Sequence, residues 1–146
     1  MTWLTTLALL GVLVIAGLAF YLGKLLFMVK AQRQKREAAI AERNEKLLSS
    51  IHIIARAMLE EQCDFSEGAI RIRNLLDHLH PYKAYGERFP ALFDLYKRVK
   101  DLPTHEARKE LDKKELRRQD REREGWEREL SDAIKAEAEL LKDLSH

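Results

Sequence analysis

Asp77, His78 and His80 are the nearest approach to a metal-ligating or acid–base cluster in this chain of 146 residues. On a helix, positions 78 and 80 point about 200° apart, whereas two imidazoles that share an ion need a spacing of three or four, as in a paired zinc motif. Both rings therefore read as solvated groups near a helix C-terminus, where the dipole favours a cation. His105-Glu106 lacks a second His four positions on, so a metalloprotease reading fails. No Gly-rich phosphate loop and no Gly-x-Ser-x-Gly elbow is present. The expectation is a chain with no catalytic residue, no metal ligand and no cofactor, and so not an enzyme.

Two other constellations carry chemistry of recognition. Ser66-Glu67-Gly68 opens a helix, whose free N–H groups attract anions, and Arg71 and Arg73 follow closely. Ser66, Gly68, Arg71 and Arg73 are thus a candidate anion site, and an enzyme or anion binder would combine them with His78 or His80. The plainer reading is an ordinary cap, with Gly68 packed against a neighbour and one arginine paired to Glu60 or Glu61. Tyr82, Tyr85 and Phe89 are a candidate partner surface, since Tyr and Phe are common at interfaces. They are expected in a loop at the membrane-distal tip of a helical hairpin, with closure of the core as the alternative. The single cysteine, Cys63, sits among Glu60, Glu61 and Asp64, which disfavour a thiolate, and so reads as structural.

The elements that must position these residues begin with an anchor. Residues 2–23 form an uncharged run of 22, about 33 Å long as a helix and sufficient for a hydrocarbon core of about 30 Å. Trp3 and Tyr21 lie near its ends, where amphipathic rings prefer the headgroup level. A cleaved signal peptide is the rival, with small residues at Gly17 and Ala19. It lacks a basic stretch before the apolar run, and that run exceeds the usual signal length.

Charge gives the orientation. Lys24, Lys30, Arg33, Lys35 and Arg36 follow the span with no acidic residue among them, so the carboxy-terminal body is expected on the cytoplasmic side of a bacterial inner membrane, with the N-terminus outside. Each of these cations gains roughly 1 kcal/mol near anionic headgroups, which makes the cluster a membrane-surface contact. Residues 37–146 carry 21 basic against 24 acidic residues. That balance argues against nucleic acid, which requires a concentrated basic face.

The rest reads as all-α: a basic juxtamembrane stretch and stalk helix over 30–62, a compact core over 63–103, and a long charged helix over 104–146, after the anchor at 1–29. In the stalk, Ile40, Asn44, Leu47, Ile51, Ile54 and Met58 recur at alternating steps of four and three. Asn44 either fixes register there or marks where contact has yet to begin. Asp64 with Glu67 resembles a capping box for a second helix, which Pro81 ends. A third helix starts at Pro90 and buries Leu92, Phe93, Tyr96 and Val99. Thr104 caps the last, in which 112–125 holds one apolar residue, Leu116, among six basic and five acidic ones. Beyond Gly125, Trp126, Leu130, Ile134, Leu141 and Leu144 restore an apolar stripe, interrupted by Glu137. That stripe is expected to pack antiparallel on the stalk near residues 47–54.

The runs 66–72 (Ser-Glu-Gly-Ala-Ile-Arg-Ile), Leu75-Leu76-Asp77, Phe89-Pro90-Ala91 with Leu95-Tyr96, and Leu102-Pro103 with His105 and Arg108 resemble an uncharacterised family of short gammaproteobacterial membrane proteins. The resemblance covers about residues 10–140. It implies a single-pass inner-membrane protein and supplies no activity or site residue. Anchor and composition point to a noncatalytic adaptor or small subunit, with the lipid bilayer and a protein, or a second copy, as partners.

Overall fold

A computed structural model describes every residue except His105. The chain is all-helical, with no strand among the described residues: α1 Thr2–Leu59, α2 Phe65–Asp77, α3 Pro90–Val99, α4 His105–Lys109 and α5 Lys113–Leu141. It divides into two units, Met1–Glu42 and Arg43–His146.

The first unit is helix alone. α1 contains a window of mean hydropathy 2.3, none of it buried, so Leu, Val, Ile and Phe side chains face outward all round. A helix apolar on every side is a membrane span or the core of a large protein, and by length and composition this one is sufficient to cross a bilayer. Lys24, Lys30, Arg33, Lys35 and Arg36 are exposed. Arg33 reaches Glu37 one turn on, at 3.8 Å.

The second unit takes the last turns of α1 and all later helices. Ile51, Ala55 and Met58 are the residues α1 buries here, with Leu47, Leu48, Ile54 and Leu59 partly covered. The chain then reverses through a Schellman turn: the Gln62 N–H donates to the Ala57 carbonyl at 2.8 Å and that of Glu61 to Met58 at 3.3 Å. Glu61 occupies the left-handed position, φ 57°, that glycine usually fills. α2 runs back along α1, so that His80, beyond its end, meets Asn44. The Asn44 side chain accepts from the His80 N–H at 3.1 Å and donates to its carbonyl. That contact explains the polar residue on the stalk seam.

α5 is also antiparallel to the end of α1. Lys135 lies 3.8 Å from Glu61, and the His52 ring bonds the Leu144 carbonyl at 2.8 Å. α3 opposes α5 in turn, with Ala91 and Leu92 beside Glu137 and Arg98 beside Glu129. The shared core holds Ile72, Leu76 and Leu79 near α2, Leu92, Leu95 and Val99 from α3, and Ile134, Ala138, Leu141 and Leu144 from the C-terminal stripe.

Two expectations change. Phe93 and Tyr96 are only half-buried, and Leu95 takes the core position. The segment 104–146 is not one helix: Thr104 precedes the short α4, which ends at Lys109, and α5 starts afresh after Asp112. α5 then runs unbroken through Gly125.

Candidate functional site

The start of α2 is already occupied by an anion, and the anion is the protein's own. Glu127 of α5 accepts from the Ser66 N–H at 3.2 Å and from its hydroxyl at 2.5 Å through one carboxylate oxygen. Asp64 sits at the N-cap without a side-chain bond to the helix, and Glu67 turns instead to Arg71 at 2.5 Å. The capping box and the candidate anion site at Ser66 and Gly68 are both corrected by this geometry. A tertiary carboxylate on the free N–H groups offsets the positive helix end more effectively than a solvated ion that must first lose water.

Gly68 packs against α1. A Cβ built there would lie 2.3 Å from Met58 Sδ and 2.7 Å from its Cγ. Gly68→Ala is therefore expected to lower stability by about 1–2 kcal/mol, the cost of overpacking less the helix propensity gained. Adding Met58→Ala should make the two substitutions non-additive in thermal melts, since it removes the atoms in conflict.

Arg71 and Arg73 diverge, as two residues on a helix must. Arg71 is exposed beside Glu67, whereas Arg73 pairs with Asp77 and lies over the rings of Phe93 and Tyr96, its guanidinium carbon 5.0 and 5.5 Å from their centroids. Neither pairs with Glu60 or Glu61. Cation–π contact explains why a charge interrupts the apolar face of α2 and why two core aromatics stay at the boundary.

His78 and His80 lie beyond the opposite end of α2, about 18 Å along the axis from Ser66, so one small ligand does not touch both. The His78 Nδ1 bonds the Asn74 carbonyl at 2.6 Å, and His80 is held by its backbone. Among the described residues no group of three His, Cys, Asp or Glu side chains could hold a metal ion. Burial pushes the Cys63 thiol up, Glu67 adds to this and Arg71 opposes it, in keeping with an unreactive thiol.

The aromatic loop is corrected in part. Tyr82 is exposed (64%), but Tyr85 (4%) and Phe89 (0%) belong to the core. Their rings stack with centroids 6.1 Å apart, and the Tyr85 hydroxyl bonds His146 Nδ1 at 2.7 Å. Two rings of this size bury more free energy inside than a solvent-facing loop would leave them.

Two features escape the sequence. The first is Glu137, whose Oε1 accepts from the Ala91 N–H and Oε2 from the Leu92 N–H, both at 2.8 Å. α3 begins with Phe89 at the N-cap, which has no capping group, and Pro90, which has no N–H. The acidic residue that interrupts the α5 stripe is therefore the missing cap. Burial raises its pKa from the ordinary 4.5, and the two amide bonds pull it back.

The second is a cavity of about 680 Å³ between α2, the end of α3, α4 and the start of α5. Its floor is apolar, with Ile70, Val99, Leu102 and Leu116, and its wall carries Arg71, Arg108, Lys109 and Arg123 together with one acid, Glu67. Arg108 binds Asp120 Oδ1 at 2.6 Å, and Arg123 Nη2 approaches the same oxygen only to 3.8 Å.

Comparison with known proteins supplies the lineage. A family described as "Protein of unknown function (DUF2489)" matches residues 15–141. The chain belongs to this family. A relative from Haemophilus influenzae, described as an uncharacterized protein, is 39% identical over 127 residues, which is 87% of this chain and 85% of that one. No solved structure matches. The family resemblance read from the motifs at 66–77, 89–96 and 102–108 thus holds, and the family brings no activity with it.

Proposed function

We propose that this member of the family is a single-pass protein of the bacterial inner membrane whose helical domain lies in the cytoplasm and works without catalysis, as an adaptor or small subunit that makes protein contacts. The observation that carries the reading is the apolar first part of α1, exposed on every side and followed by Lys24, Lys30, Arg33, Lys35 and Arg36. An unburied apolar helix finds its free-energy minimum in lipid, and the basic cluster sets its direction. The noncatalytic part is supported by what the polar side chains do. Glu127 and Glu137 cap helices, Arg73 holds Asp77 and two rings, and Tyr85 holds His146.

Fusions through a flexible linker after His146 test the orientation. A fluorescent reporter should glow and alkaline phosphatase should stay inactive; the opposite pair of results would overturn the cytoplasmic assignment. A photoreactive amino acid at Tyr82 or Ile53, both exposed, tests the adaptor role in living cells. One discrete adduct, to another protein or to a second copy, is expected, and its absence at every exposed position tried would remove the reading.

A further inference from the structure

The geometry points to a second role for the cytoplasmic domain: the cavity beside α4 is a binding site for a small amphiphilic anion, with an aliphatic body on Ile70, Val99, Leu102 and Leu116 and an acidic head against Arg123 and Arg108. This goes beyond the adaptor reading and does not depend on it.

Volume comes first. About 680 Å³ falls inside the range of about 300–1,000 Å³ in which small-molecule sites occur, and such sites pair an apolar lining with a few converging polar groups. Here the polar groups converge with one sign in excess. Arg71 and Lys109 each have an acid, Glu67 at 2.5 Å and Glu106 at 2.9 Å. Arg108 and Arg123, in contrast, both turn to Asp120. Two guanidiniums share one carboxylate, and at 3.8 Å the second makes no hydrogen bond.

The Arg123 guanidinium is underused in another way. Its Nε is buried and has no hydrogen-bond partner among the described residues, while the side chain as a whole stays 29% exposed. An incoming acid therefore meets the outer N–H groups, and arginine recognises acids through such parallel N–H bonds. A carboxylate or phosphate head engaging Arg123 with Arg108 would supply the second counter-charge. Inorganic phosphate alone would leave the apolar floor uncovered, and a neutral alkyl chain would leave the charge uncompensated. An anion with a hydrocarbon body satisfies both.

Octanoate is the probe, titrated calorimetrically into the full chain in zwitterionic lipid nanodiscs, with empty discs subtracted. One octanoate per chain is expected. Octyl phosphate should compete for the same site, whereas octanol and inorganic phosphate should bind at least tenfold more weakly. Arg123→Gln should weaken octanoate at least tenfold, and Leu102→Glu, which sets a negative charge on the half-exposed floor, should abolish binding. Helicity and melting temperature are measured for both variants, and Arg108→Gln, also expected to lose at least tenfold, stands in for either one that melts early. The proposal falls if octanoate gives no heat above empty discs, if all folded variants bind as the parent does, or if phosphate or octanol binds as tightly as octanoate.

Discussion

Leu76→Asp is expected to unfold the Arg43–His146 unit outright. Leu76 is 1% exposed and belongs to the same cluster as Ile72, Leu79 and Leu92. Losing the leucine removes about 1.5–3 kcal/mol of burial, and an ionised carboxylate in its place adds several kcal/mol more because no cation is within the cluster to pair with it. A domain of this size has roughly 5–15 kcal/mol of net stability, so a single substitution consumes most of it. In the full chain, far-ultraviolet circular dichroism should lose ellipticity, and limited proteolysis should cut throughout 60–140. Ile53→Asp, at a residue of α1 in the same unit that is 65% exposed, is the control and should leave both readings unchanged. Parental ellipticity and protease resistance in the Leu76 variant would mean that α2 does not face this core.

Glu137→Leu is the second large effect, and its direction runs against the hydrophobicity of the exchange. The leucine would complete the apolar stripe of α5, but it would strand the buried N–H groups of Ala91 and Leu92, now 2.8 Å from the carboxylate oxygens. Leaving buried donors unsatisfied costs about 1–3 kcal/mol each. Even after the gain from the added apolar area, a net loss of about 2–4 kcal/mol is expected, a fall of roughly 10–20 °C in melting temperature. Glu137→Gln keeps one acceptor and should lose about half as much. Wild-type stability should also depend on pH in a way that the Gln variant does not share. The folded carboxyl titrates above its ordinary 4.5 because burial outweighs the two amide bonds. Its pH-linked contribution is therefore fully present below pH 4.5 and is lost as pH rises through the folded value. Melting the two proteins side by side from pH 7 down to 4.5 should widen the wild-type advantage. A constant difference across that range would remove the burial argument, and a Leu variant as stable as the parent would remove the cap.

Periodicity made most of the fold legible, because it records burial directly. The apolar run of α1 and the stripe at Trp126, Leu130, Ile134, Leu141 and Leu144 are local signals with local causes, whereas α2 stops at Asp77, four residues before the break that Pro81 predicts. The contacts that define the candidate sites are long-range and have no such signature. Ser66 meets a carboxylate 61 positions away and Leu92 one 45 positions away, and no spacing rule along the chain pairs them. Local rules even mislead here. Asp64 and Glu67 spell a capping box whose capping is done by Glu127, and Tyr85 and Phe89 look like loop aromatics until His146 and the α5 stripe close over them. One clue was available: an acidic residue inside an apolar stripe, together with a helix start, Phe89-Pro90, that has no capping side chain of its own. Each anomaly answers the other. The cavity beside α4 is less legible still, since its floor and its cations come from four separate segments.

Glu127 and Glu137 stand ten residues apart on one helix, a separation of about 15 Å. Their targets, the first N–H groups of α2 and α3, sit in different elements joined by a loop. A rigid rod that meets two such fixed points admits no slippage: displacement of α5 by a single turn, about 5.4 Å, would detach both carboxylates in the same movement. Alternative dockings of this helix are thereby discriminated against twice over, and the two shorter helices should gain and lose their first turns together when α5 docks and departs.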